Sequence, residues 1–127
     1  MRLLLDTHTV LWFINDDSRL PPHIREMLND KSNVVRVSMI SLWEMSIKSR
    51  LGKLELHRSL ADIVRHLHAN GFRLLTMDLS HVYRLDTLDH HHRDPFDRML
   101  IAQSLADGFV FVGCDEVFDR YGVRRLW

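Results

Sequence analysis

Apolar residues in this chain follow two spacings. Short, nearly continuous runs read as strands buried on both faces: RLLL at 2–5, VVRV at 34–37, FRLLTM at 72–77 and FVFVG at 109–113. Between them lie longer segments with helical spacing: THTVLWFI, PPHIREMLND with proline near its start, SMISLWEMSIKSRLG, SLADIVRHLHANG, SHVYRLDTL and PFDRMLIAQSLADG. Ser38 and Ser80 are expected to cap their helices, and Gly52 and Gly71 to end theirs. EVFDRYG reads as a last turn or short helix and VRRLW as a last strand. Strands that alternate with helices predict an α/β fold, a three-layer sandwich with a central, mainly parallel sheet flanked by helices. At 127 residues the chain fits a single domain, 1–127.

Composition narrows the function classes. The formal net charge is zero, which removes the argument from a strongly basic domain for nucleic-acid binding, although a local basic patch can exist inside a neutral total. No stretch approaches the roughly 18 apolar residues of a membrane span. Cys114 is the single cysteine, so no intrachain disulfide is expected. The Asp of LLLD ends the first apolar run too early for a signal peptide. A cytoplasmic protein without membrane contact is the resulting expectation.

In a parallel sheet, ligands bind beyond the carboxyl ends of the strands. Asp6 directly follows the first strand, and Asp115 follows FVFVG by one residue. Asp94 and Asp97 start the 95–107 helix, and Glu44 lies in the second turn of the helix after VVRV. Each acid has an ordinary explanation. Asp94 before Pro95 is a good N-cap, Asp97 at N3 suits the helix dipole, Glu44 and Lys48 form an i,i+4 pair, and Asp6 and Asp115 suit turns. Gathered at one half-buried edge, however, carboxylates repel one another, and a divalent cation removes that cost. An oxygen-only set suits Mg²⁺ or Mn²⁺, and such a site can serve phosphodiester cleavage.

His90, His91 and His92 look like a zinc cluster, but adjacent loop residues point in different directions and no cysteine stands at zinc spacing. The run is read instead as a solvated loop at the site mouth, where a protonated histidine can meet substrate phosphate. His92 and Arg93 are secondary site candidates.

The segments LLLDTHTVLWF, SLWEMSIKSRLGKLEL, HRDPFDRMLIAQSL and VGCDEVFDRYGV together resemble the PIN domain, specifically VapC-type toxins of bacterial toxin–antitoxin pairs. The resemblance runs end to end in the same order. It implies a PIN-like ribonuclease that uses Mg²⁺ or Mn²⁺, is commonly a homodimer, and is held inactive by a small VapB-type antitoxin. It places Asp6, Glu44, Asp97 and Asp115 in the catalytic metal site. Asp97 ranks above Asp94, which is left to cap, and the histidines are peripheral. Thr7, next to Asp6, is a candidate to orient that acid or a metal-bound water by its hydroxyl, and Ser41, one turn before Glu44, is a candidate for the same role. One departure stands out: many relatives carry Thr or Ser two residues before the last Asp, where this chain has Gly113.

Arg36, Lys48, Arg50, Lys53 and Arg58 form either a solvated helix face or a phosphate-contacting rim for RNA. Trp12, Trp43 and Trp127 are expected in the core or an interface. Phe13, Ile14 and Leu20 belong to the core or to a dimer or antitoxin surface. Cys114 is read as a packing residue. The alternatives to a toxin nuclease are a Mg²⁺-dependent phosphohydrolase and a catalytically weak module acting mainly in an antitoxin-bound regulatory complex. No recognition helix for direct DNA contact is evident.

Overall fold

The computed structural model describes residues 1–127. Five strands form one sheet: β1 (Arg2–Leu5), β2 (Val34–Ser38), β3 (Arg73–Leu75), β4 (Val110–Val112) and β5 (Arg125–Leu126). Every neighbouring pair is parallel, in the order β3-β2-β1-β4-β5. The helices are α1 (Thr7–Ile14), α2 (Pro22–Asn29), α3 (Met39–Arg50), α4 (Leu60–Ala69), α5 (Leu79–Asp86) and α6 (Pro95–Asp107), with a 3₁₀ turn at Glu116–Tyr121.

The two-residue alternation of strand side chains divides the core. Leu3, Leu5, Val35, Val37 and Val112 join residues of α1, α2, α3 and α4 in one cluster. Phe111 joins α6, the 3₁₀ turn and Val123 in the other. Burial on both faces is why these strands are apolar without interruption. Phe13, Ile14 and Leu20 are buried in the first cluster, so of the two places expected for them they occupy the core.

Chain direction positions the site. The strands step outward from β1 through β2 to β3, and the chain then returns to the other side of β1 for β4 and β5. Loops leaving β1 and β4 therefore part at a topological switch point, which opens a crevice at the strand ends. Asp6 emerges from β1 there, and Gly113–Asp115 from β4.

One expectation needs correction. Ser80 does not cap α5, which begins one residue earlier. The buried His81 does that work, accepting from the Asp78 N–H at Nδ1 (3.0 Å) while its Nε2 lies 2.8 Å from Asp107. Of the two places expected for Trp43, the core is excluded: it is 58% exposed, its ring edge-on to Phe96 at 5.1 Å. Trp12 and Trp127 pack together at 5.8 Å against the first cluster, as expected. Ser38 caps α3 by accepting from Ile40 N–H, and it also donates to the fully buried Gln103 at 2.6 Å, tying β2 to α6.

Candidate metal centre

The five acids converge on the crevice, but not equally. Oxygens of Glu44, Asp94 and Asp97 lie within 4.8 Å of one another. Asp6 is buried beside them, with its backbone N–H on Val112 O at 2.9 Å. Asp115 stands at the rim, its side chain 51% exposed, accepting from Val117 N–H as the cap of the 3₁₀ turn.

Glu44 is held from two sides. The Thr7 hydroxyl is 2.6 Å from Glu44 Oε1 and 2.9 Å from Ser41 Oγ. It has one hydrogen, so it donates to the carboxylate and leaves Ser41 to donate to it. Instead of orienting Asp6 or a metal-bound water, as expected, the Thr7 hydroxyl is on Glu44, with Ser41 behind it. On the other oxygen, Lys48 Nζ donates to Glu44 Oε2 and also, at 3.1 Å, to Asp94 Oδ2. The i,i+4 pair read from the sequence exists and is also part of the site.

Asp94 fulfils its capping role, accepting from Phe96 and Asp97 N–H at 2.8 and 3.2 Å through Oδ1. Its second oxygen, Oδ2, meets Lys48, and its carboxylate lies with those of Glu44 and Asp97, so the capping residue also stands within the acidic cluster. Burial works to raise the Asp94 carboxyl, yet the Lys48 hydrogen bond and the helix N–H groups hold it below its ordinary range.

The remaining charge is uncompensated. Burial, then the neighbouring Glu44, pushes Asp6 up to about 7. Burial followed by Asp6, Asp94 and Glu44 pushes Asp97 up to about 7 as well, with His92 opposing. One lysine among four close acids leaves room for more positive charge, and the donor set is nearly all oxygen. The residues present fit a hard divalent cation.

The histidines divide. The group of three close potential ligands, Glu44, Asp94 and Asp97, contains none of them. His90 and His91 are exposed, as expected of a solvated loop. His92 is not peripheral. Its Nδ1 accepts from Asp94 N–H at 3.2 Å, which leaves the hydrogen on Nε2. Nε2 is buried 2.9 Å from Asp97 Oδ2 and 3.8 Å from Asp115 Oδ2, but no acceptor is aligned for a proper hydrogen bond. Its polar demand faces the acids.

Sequence reasoning missed what holds this loop. Buried Arg98 donates to Asp89 O at 2.7 Å and Leu88 O at 3.2 Å, and the Tyr121 hydroxyl accepts from His91 and His92 N–H at 2.8 and 2.7 Å. An arginine next to Asp97 reads as a surface partner until the helix face it occupies is known. Arg98→Met is expected to cost about 1–3 kcal/mol, because two carbonyls lose their donor. Urea denaturation measures this, and a loss below about 0.5 kcal/mol, the scale of an ordinary surface substitution, would deny Arg98 that role. Arg125 braces the other wall, paired bidentately with Asp119 and donating to Gly113 O at 2.9 Å.

The model of the PIN domain matches residues 3–124. The chain belongs to the PIN domain family. PIN domains are generally metal-dependent nucleases, and the acidic crevice is compatible with that class. No curated protein matches the chain in sequence. Among solved structures, VapBC2 from Rickettsia felis, crystallised bound to a DNA fragment from its promoter, has the same PIN architecture. The TM-score is 0.75 at 14% identity, over 99% of this chain and 98% of that one. No helix of this PIN domain is long and apolar enough to cross a membrane.

The two raised acids give a pH prediction. Asp6 and Asp97 keep protons to about pH 7 in the fold, whereas unfolded aspartates lose them near about 4. The native state then binds more protons between those values, so these two acids make stability fall as pH rises through that window. Mg²⁺ or Mn²⁺ should restore it, most strongly above pH 7. Melting in EDTA and in each cation across pH 5–8 checks this. A midpoint in EDTA that is flat with pH and indifferent to cation would contradict the crowding of charge.

Proposed function

We propose that the chain is a VapC-type toxin, a Mg²⁺- or Mn²⁺-dependent endoribonuclease inhibited by a cognate VapB-type antitoxin. The observation that carries the reading is the trio Glu44, Asp94 and Asp97, with oxygens within 4.8 Å at the switch point of a PIN sheet. The likeness to the Rickettsia VapBC2 complex supports the antitoxin partner.

Glu44, Asp97 and Asp94 would hold the cation, with Asp6 behind them and Asp115 at the rim. A bound divalent ion polarises a scissile phosphate and makes water more acidic. The chain's own residues prepare for it. Thr7 and Ser41 fix the Glu44 rotamer, so the carboxylate need not be ordered during binding. Lys48 offsets part of the charge of Glu44 and Asp94 and leaves Asp6 and Asp97 without a lysine or arginine partner. His92 holds a proton at Nε2 against Asp97, within reach of an oxygen placed in the crevice. The all-oxygen trio favours this ion class over zinc bound by His90, His91 and His92.

Purified protein incubated with RNA in EDTA, Mg²⁺ or Mn²⁺ tests the activity. Co-expression with a neighbouring small protein tests control. Metal-dependent cleavage, and growth arrest relieved by the partner, are expected. A chain that hydrolyses small phosphate esters but leaves RNA intact is a phosphohydrolase instead.

A further inference from the structure

An open cavity of about 800 Å³ lies beside the acidic crevice, between α5 and the loop that enters α6. Its size falls in the ~300–1,000 Å³ range of small-molecule pockets. His92 lines this cavity and also sits 2.9 Å from Asp97, so cavity and crevice share one wall. His90 and Arg93 line the cavity and are exposed. Arg93 takes part in none of the ion pairs of the chain. Its guanidinium is an unspent charge with a fork suited to phosphate. Apolar surface comes from Leu85 and Pro95, and Asp86 offers a carboxylate acceptor.

This combination matches a nucleotide within a single strand. A phosphate needs a cation, a base needs an apolar or aromatic face, and the N–H groups of a base edge need an acceptor. The site is also built before ligand arrives. Arg98 and the Tyr121 hydroxyl pin the loop backbone from Leu88 to His92, so little ordering cost remains.

We propose that this cavity is the subsite for the nucleotide flanking the scissile phosphate of a single-stranded RNA. Its phosphate lies on Arg93 and His90, and its base lies against Leu85 and Pro95. The inference rests on the ribonuclease reading and names where that substrate is gripped.

The test uses the full chain and a fluorescein-labelled single-stranded RNA of twelve nucleotides, in EDTA so that metal-dependent cleavage does not interfere. Arg93→Ala is expected to weaken binding by about 3–10-fold and to reduce the salt slope by about 0.7, the share of one phosphate contact on a single strand. His90→Ala should weaken binding less. Both side chains are exposed, so melting temperatures should be unchanged. In Mg²⁺ or Mn²⁺, Arg93→Ala should raise KM with kcat largely kept, because the grip is away from the reacting atoms. If wild-type protein cleaves RNA but both variants match it in affinity, salt slope and KM, the subsite is wrong and the nuclease reading stands. If wild type neither binds nor cleaves RNA, both fall together.

Discussion

Asp97→Asn is expected to lower metal-dependent RNA cleavage by at least about a hundredfold while leaving the domain folded. Losing a supporting partner around a metal costs ~10–100-fold, and a ligand itself should cost more. The amide keeps the shape of the side chain but is a weaker, neutral ligand. Asp97, like Asp6, carries charge that the crevice leaves uncompensated, and it is pushed up to about 7 by burial and by Asp6, Asp94 and Glu44. Removing its charge in the absence of metal should therefore hold or raise the melting temperature, and it should flatten the fall in stability with pH. The metal-induced rise in melting temperature should shrink at the same time. Isothermal titration with Mn²⁺, melting and an RNA cleavage assay measure the three effects. Full activity with an unchanged metal response would mean that the cation is held elsewhere.

Gly113→Thr is expected to harm the protein, although the resemblance read from the sequence favours a hydroxyl residue at this position. A Cβ added at Gly113 would sit 2.9 Å from Asp6 Cβ and 3.0 Å from the Phe111 ring. Asp6 Cβ is fixed to the backbone and Phe111 is fully buried, so neither can yield cheaply. Overpacking of this kind costs typically about 1–3 kcal/mol, and here the displaced group is an acid of the site. Gly113→Ala, which adds only the clashing carbon, should show most of the stability loss, and Thr should add to it. Urea denaturation and metal titration of both variants check the result. If Thr raised metal affinity or activity at unchanged stability, the missing hydroxyl would be a true deficit of this chain. The contact with Asp6 says instead that this site is packed around glycine.

Much of this was legible in the linear order of residues. Period-two and period-3.6 spacings describe which face of an element is apolar, so the strands, most helices and the parallel sheet follow from RLLL, VVRV, FVFVG and the segments between them. Placement of acids after strand ends was legible too, because chain direction in a parallel sheet sends every such residue to one edge: Asp6 and Asp115 from β1 and β4, Glu44 from the helix after β2. Caps depend on local hydrogen bonds, and Asp94 and Ser38 were read correctly for that reason. Ser80 failed because His81 reaches both Asp78 and the distant Asp107, a partnership no local rule contains.

Tertiary structure alone decided distances across elements. That Asp94 shares Lys48 with Glu44, that His92 turns toward Asp97, and that Asp115 stays at the rim all depend on how α3, α6 and the 3₁₀ turn meet. Arg98 was invisible as a brace because its role comes from carbonyls of a loop folded back over it. Gly113 carried the opposite meaning in the two views: a missing hydroxyl in the motif, and in space the only residue small enough to let β4 leave the sheet beside Asp6. Spacing along the chain determines which side of an element a residue occupies. Which side chains then touch, and how much charge they must share, is set by packing between elements remote in sequence.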